Sequence, residues 1–124
     1  NRFYLANRNR FIILSFEQAW PKLDLAASIG DEITKEEAEQ GLRDGVFSFF
    51  SRENSAAIVA SYGDTLRIGV AGGDLDELQD IEEEICEYAL QGGYTYIDII
   101  GRVGWERVLP DYERVAVVLR KQVQ

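Results

Sequence analysis

The sequence predicts a single α+β domain built around one mixed, mostly antiparallel sheet that is flanked by helices. Two kinds of hydrophobic spacing support this fold class. Apolar residues recur every three or four positions along some segments, as on the buried face of a helix, whereas other short runs rich in β-branched and aromatic residues are typical of strands. A chain of 124 residues with 46% hydrophobic residues also has the size and content of one domain with a real core.

Two helices are expected in the first half of the chain. Apolar residues at helical spacing fill positions 16–27, where Pro21 either kinks the helix or marks a new first turn. Thr34 and Glu37 then form a capping box, in which each side chain bonds the backbone of the other, so a second helix starts at this point. Gly45 lies where a helix-ending glycine belongs.

A third, longer helix is predicted after residues 72–74, where Asp74 is a candidate N-cap. Its expected buried stripe consists of six apolar residues: Leu75, Leu78, Ile81, Ile85, Ala89 and Leu90. The glycine pair at 92–93 ends it. One or two further helical turns are expected within residues 103–109, before Pro110.

Strands are expected at six places along the chain. Each is a short run bounded by polar or turn-forming residues: 11–14, 46–51, 55–62, 65–71, 94–100 and 115–119. Within 65–71, Leu66, Ile68 and Val70 alternate with other residues, as on one face of a strand. The run 115–119 is aliphatic throughout, which is typical of a central or covered strand.

Residues 1–10 are interpreted as an N-terminal arm that precedes the domain of residues 11–124. The arm interleaves basic and aromatic residues, including Arg8 and Arg10, in a chain that is otherwise acidic. Such a segment is suited to stacking on nucleic acid or to docking on an acidic neighbour, and a frayed terminus is the preferred alternative. Contact between the arm and an acidic face would also produce self-association.

Composition excludes several classes of function. The chain has 13 lysines and arginines against 22 acids, a formal net charge of −9, so nucleic acid and anionic membranes are poor partners outside the arm. Histidine is absent and Cys86 is the single cysteine, which excludes disulfides within the chain, histidine-based triads and the common zinc sites. No apolar run approaches the roughly 20 residues that cross a bilayer.

Three segments carry a resemblance to a known family. They are residues 71–78 (Ala-Gly-Gly-Asp-Leu-Asp-Glu-Leu), 88–93 (Tyr-Ala-Leu-Gln-Gly-Gly) and 99–109 (Ile-Ile-Gly-Arg-Val-Gly-Trp-Glu-Arg-Val-Leu). With the order of predicted elements, they resemble small proteins encoded among the virion genes of tailed bacteriophages, whose fold is similar to that of the GNAT acetyltransferases. The resemblance covers most of the chain outside residues 1–10.

This resemblance implies a location in the virion or the host cytoplasm. The expected partners are other virion or assembly proteins, or further copies of the chain. It supplies no catalytic residue that can be carried over to this sequence, and we expect no cofactor and no metal.

In active GNAT enzymes, the glycine-containing loop before the long helix holds the pyrophosphate of coenzyme A on backbone N–H groups. The corresponding positions here include Gly72, Gly73 and Asp74, followed by Asp76 and Glu77. A carboxylate at roughly 4–6 Å repels a phosphate by about 1 kcal/mol or more, whereas the helix dipole attracts it by about 0.3–1 kcal/mol. The loop is therefore interpreted as degenerate. Helix capping explains the same acids without any function.

Catalytic candidates near the chain end are weak. The position of the usual GNAT tyrosine corresponds to Leu109 or Tyr112, of which only Tyr112 can transfer a proton, and a packed tyrosine with a bonded hydroxyl is the alternative. Cys86 lacks a cationic neighbour in the sequence, so it is interpreted as a packing residue.

Arg102, Trp105 and Arg107 are candidate interface residues, because tryptophan and arginine are enriched in binding hot spots. The alternative places Trp105 at one end of the core. The acidic residues between 80 and 87 suggest a metal site in principle, but a solvated helix face explains them better because they lie along one helix.

Three functions follow as hypotheses from these patterns. The first is a non-catalytic virion-associated or assembly protein that acts through protein contacts. The second is an N-acetyltransferase that uses acetyl-coenzyme A beside Gly72 and Gly73, with a cationic substrate. The third is a small phage-encoded inhibitor whose acidic surface competes for a basic site on a host protein.

Overall fold

A computed structural model describes residues 14–27, 33–101 and 105–124 of the chain. Their elements are the helices α1 (Phe16–Ala27) and α2 (Lys35–Arg43), the strands β1 (Phe47–Ser51), β2 (Ala56–Tyr62) and β3 (Thr65–Gly72), the helix α3 (Leu75–Gln91), the strand β4 (Tyr96–Ile99) and the single turn α4 (Trp105–Val108). The predicted α+β class is confirmed.

The four strands form one mixed sheet in the order β1-β2-β3-β4. The first two pairings are antiparallel, as expected of a meander, and β4 lies parallel to β3. A parallel pairing requires a crossover connection, and α3 is the helix that makes it. The predicted mixed, mostly antiparallel sheet is therefore present.

Helices cover both faces of this sheet. On one face, α3 packs through Ile81 and Ile85 against residues that include Val59, Leu66 and Ile68. On the other face, the core cluster comprises residues of α1, α2, β2 and β3: Ala19, Leu23, Ala38, Ala56, Ile58 and Val70. Because successive residues of a strand point to opposite faces, β2 contributes to both clusters.

A β-bulge in β3 turns the side chain of Val70 to the face of the sheet opposite to the one predicted. The register shifts between Ile58 and Val59, where the partners change from Val70 to Ile68, so Gly69 is the extra residue of a bulge. Leu66 and Ile68 therefore face α3, whereas Val70 belongs to the cluster on the opposite face. Simple alternation predicted all three on one face.

Both predicted ends of α2 are confirmed. The Thr34 side chain accepts a hydrogen bond from the backbone N–H of Glu37, whose carboxylate accepts one from the backbone N–H of Thr34. Gly45 follows the helix with a φ of 76°, a conformation that favours glycine. Pro21 lies inside a continuous α1.

The predicted stripe on α3 is too long at both ends. Leu78, Ile81, Ile85 and Ala89 are buried, but Leu75 and Leu90 are exposed. Leu75 is the first residue of the helix and precedes the part that packs on the sheet. Leu90 follows the buried Ala89 directly, so the helical rotation of about 100° turns it away from the core.

The strand predicted at 115–119 is absent, and residues 112–124 have no regular secondary structure. Val115, Val117, Val118 and Leu119 are 65–90% exposed. A strand requires a hydrogen-bonded neighbour, and in the described part of the chain β4 pairs with β3 alone. The prediction was wrong because it considered side chains without identifying a neighbouring strand.

The first predicted strand, 11–14, lies outside the described residues except for Leu14. The Leu14 carbonyl accepts a hydrogen bond of 2.9 Å from the Ser51 hydroxyl, at the end of β1. The N-terminal arm also lies outside them. Among the described helices, none is both long and apolar enough to cross a membrane.

Candidate functional site

The candidate site lies at the start of α3, where the sequence predicts a degenerate cofactor loop. β3 ends at Gly72, and Asp74 is the N-cap residue in an extended conformation. The Asp74 side chain makes no capping hydrogen bond. The prediction that this carboxylate caps the helix is therefore wrong, and the groups that bond the helix start come from elsewhere in the fold.

Ser55 supplies one of these groups. Its hydroxyl oxygen accepts a hydrogen bond of 2.8 Å from the backbone N–H of Asp74 and donates one of 2.7 Å to Oε1 of Glu77. The same Oε1 accepts a 3.0 Å bond from the backbone N–H of Asn54. We call Asn54, Ser55, Asp74 and Glu77 the Ser55 clasp. It joins the turn between β1 and β2 to the first turn of α3.

Gly73 is required by this contact. Its φ is 129°, and a Cβ atom at this position would lie 2.3 Å from both the carbonyl oxygen of Asn54 and the hydroxyl oxygen of Ser55. Real Cβ atoms do not approach other atoms so closely, so no larger residue fits here without movement of the backbone. The close approach permitted by this glycine is therefore used by the protein's own turn.

Two of the three acids predicted to repel a phosphate at this loop are exposed, and the third is engaged in the clasp. Asp74 and Asp76 are exposed beside the helix start, whereas Glu77 is half-buried within the clasp. An anion that approached the Asp74 N–H would meet two carboxylates and would compete with Ser55 for the donor. The sequence indicates the acids and the glycines of this loop but not Ser55, because only the fold brings residues 55 and 74 together.

A buried ion pair fastens the same turn further along α3. Nη1 of Arg52 lies 2.9 Å from Oε1 of Glu84 and donates a second bond of 2.8 Å to the carbonyl of Ser51. Both side chains are more than 90% buried. The interpretation of residues 80–87 as a solvated helix face is therefore wrong for Glu84, because Arg52 reaches it from the turn between β1 and β2.

A second group of polar side chains surrounds Glu82 on another face of α3. Oε2 of Glu82 accepts a bond of 2.8 Å from the hydroxyl of Tyr112 and lies 2.8 Å from the sulfur of Cys86. Cys86 follows Glu82 by four residues on the same helix, so the two side chains are neighbours. Tyr112 comes from the segment after α4, so its contact depends on the fold.

These contacts raise the pKa of both weak acids. Burial and then the Glu82 carboxylate raise the pKa of the Cys86 thiol to about 12, and the same two causes raise the pKa of Tyr112. Both groups therefore keep their protons at neutral pH. A thiol with this pKa is a poor nucleophile, and a tyrosine that holds its proton so firmly is a poor general acid.

A small cavity of about 10 Å³ lies between the sheet and α3, close to this group. Glu82 is the single ionisable residue of its lining, which otherwise consists of apolar residues: Ala57, Ile68, Ala71, Leu78, Ile81, Ile85, Ile99 and Trp105. A space of this size holds about one water molecule. It has no room for an acyl group or a nucleotide.

The predicted interface residues are only partly described. Trp105 packs against the core cluster under α3, as its packing interpretation predicted, and Arg107 is exposed on α4. Arg8, Arg10 and Arg102 lie outside the described residues, so their interface role remains a prediction. Within the ranges that the structure covers, no group of three potential ligands is placed to hold a metal ion.

Comparison with protein families, curated proteins and solved structures finds no match for this chain. The likeness to GNAT acetyltransferases and to phage proteins therefore remains a prediction from the residues quoted above.

We predict that Cys86 reacts slowly with iodoacetamide in the folded protein. At pH 8.5, a rise of the pKa from 9.0 to about 12 lowers the thiolate fraction by roughly 700-fold, so alkylation should be on the order of several hundred-fold slower than in the urea-unfolded chain. Glu82→Gln removes the negative charge and keeps a hydrogen-bond acceptor, so it should speed alkylation of the folded protein. An unchanged rate in this variant would show that Glu82 does not control the thiol.

Proposed function

We propose that this chain is a non-catalytic interaction protein that serves particle assembly in a tailed bacteriophage. The observation that supports the absence of catalysis is the Ser55 clasp, which places the protein's own hydroxyl on the Asp74 N–H. The phage and assembly assignments rest on the sequence resemblance. The location that we propose is the virion or the host cytoplasm.

The clasp opposes coenzyme A binding through geometry. A diphosphate bound in the GNAT manner needs backbone N–H donors at the start of the long helix. In this chain the Asp74 N–H already donates a hydrogen bond to the Ser55 hydroxyl. The backbone at Gly73 also lies so close to the Asn54 carbonyl that a side chain would not fit between them. To bind the diphosphate at this donor, the protein would have to break an internal hydrogen bond and leave Ser55 without that partner.

Charge opposes the same ligand independently of the clasp. Asp74 and Asp76 are exposed at the loop, and each repels a phosphate by about 1 kcal/mol or more at roughly 4–6 Å. These interactions lie at the surface, so salt weakens them. The hydrogen bond between the Ser55 hydroxyl and the Asp74 N–H is part-buried and joins two uncharged groups, so salt weakens it less.

The state of Tyr112 opposes acyl transfer as well, in addition to the geometry and the charge of the loop. Tyr112 is the weak candidate for a general acid, and its hydroxyl donates a hydrogen bond to Glu82. Burial and this carboxylate raise its pKa. A general acid works best when its pKa is near the working pH, so Tyr112 suits a structural role better.

Protein contacts are supported by the surface of the chain. A net charge of −9 favours partners with a basic face. Arg107 on α4 and the aliphatic residues after Tyr112 are exposed, so charged and apolar groups are both available to a partner protein.

We predict no saturable heat when acetyl-coenzyme A is titrated into the protein up to millimolar ligand in a calorimeter. The matched variant carries Asp74→Asn and Asp76→Asn, two exposed substitutions that remove the charges and retain the clasp. It should also fail to bind, because the Asp74 N–H stays bonded to Ser55. Saturable binding of the wild type at micromolar ligand would overturn the proposal.

The assembly role has its own measurement. Mass spectrometry of purified particles of the encoding phage should detect the chain at a constant ratio to the major capsid protein. Its absence from particles at every stage of their assembly would contradict the virion role, whatever calorimetry shows.

A further inference from the structure

The C-terminal tail, defined as residues 113–124, contains an apolar run that the described part of the chain leaves exposed. Val115 is 76% exposed, Val117 65%, Val118 82% and Leu119 90%. β-Branched residues in such a run favour the extended conformation of a strand. A soluble protein gains stability when a run of this kind is covered, so these residues are suited to contact a partner.

Within the residues that the structure covers, the sheet has an open edge of matching length. Among the described strands, β4 lies at the end of the sheet and pairs with β3 alone. The N–H groups of Tyr96 and Ile100 donate to carbonyls of Asp64 and Ile68, in and beside β3. Because the direction of backbone groups alternates along a strand, those of Ile97 and Ile99 point to the open edge.

This edge can accept another strand. Unpaired N–H and C=O groups on an edge strand form a template for pairing with a further chain. β4 has four residues, and the run 115–119 has five, so the two segments can pair over nearly their full lengths. A neighbouring strand at β4 would also come close to Ile97 and Ile99, which pack against the core cluster.

The distribution of charge indicates that the β4 edge to which the tail binds belongs to a second copy of the chain. The tail contains Arg114, Arg120, Lys121 and a single acid, Glu113, so its formal charge is +2. Of the total charge of −9, the remaining residues therefore carry −11. A basic, apolar tail is electrostatically complementary to the acidic body of another copy.

We propose that the protein forms a dimer by exchange of C-terminal tails, in which residues 115–119 of each copy pair with the open edge of β4 in the other. One twofold arrangement then covers both tails and both edges, and it closes without further copies. Leu109 is buried and Tyr112 is bonded to Glu82, so the chain is anchored just before the tail leaves the domain.

The exchange does not rest on the proposed function, because it concerns the tail and β4 and makes no use of the loop at α3. A monomeric protein would overturn it and leave the calorimetric result unaffected. Conversely, binding of acetyl-coenzyme A would overturn the proposed function and leave the dimer unaffected.

Light scattering coupled to size-exclusion chromatography tests the exchange on the full chain. The wild type should have twice the monomer mass at micromolar concentrations. Val117→Pro with Val118→Pro should give the monomer mass, because the N–H of one of two adjacent residues faces the neighbouring strand in either register. The matched control, Gln122→Pro with Val123→Pro, lies beyond the run and should stay dimeric.

A synthetic peptide of residues 113–124 provides a second measurement that does not depend on folding of the variants. In excess, it should occupy the β4 edge and convert the wild-type dimer into monomers with peptide bound. A wild type that is monomeric up to millimolar concentrations, a dimer that the Val117/Val118 proline pair leaves intact, or a dimer that the peptide does not dissociate would each overturn the proposal.

Discussion

The hydrogen bonds of Ser55 are the interaction on which the arrangement of the candidate site depends. Ser55 is fully buried between two backbone segments, and its hydroxyl bonds both the Asp74 N–H and the Glu77 carboxylate. This contact brings the loop so close to the turn that Gly73 has no room for a side chain. The backbone N–H that would serve an anion-binding loop is thereby used to hold the fold together.

The turn between β1 and β2 is fastened to α3 at two points. Glu77 accepts bonds from Asn54 and Ser55, and Glu84 forms the buried ion pair with Arg52. Residues seven apart lie on the same face of a helix, so both carboxylates face the turn. Removal of either partner of a buried ion pair typically costs about 3–5 kcal/mol, because the other charge is then left buried and unpaired. This face of α3 is therefore packed against the turn and is not an open binding surface.

Local patterns predicted most of the helices and strands. The capping box at Thr34 and the spacing of Ile81 and Ile85 depend on residues near one another in sequence, and both were confirmed. The exposed tail and the bulge at Gly69 depend on strand neighbours, which side-chain patterns do not specify. For the same reason the sequence indicated Asp74 as a cap and missed Ser55, which lies 19 positions away.

Amide hydrogen exchange measured by NMR at single residues tests the Ser55 clasp most directly. The account predicts that the Asp74 N–H exchanges far more slowly than in an unstructured peptide. Ser55→Ala should remove this protection while the Ile85 N–H, deep in α3, keeps its own. An Asp74 N–H that exchanges at the unstructured rate in the wild type would contradict the account, because the donor would then be available to a ligand.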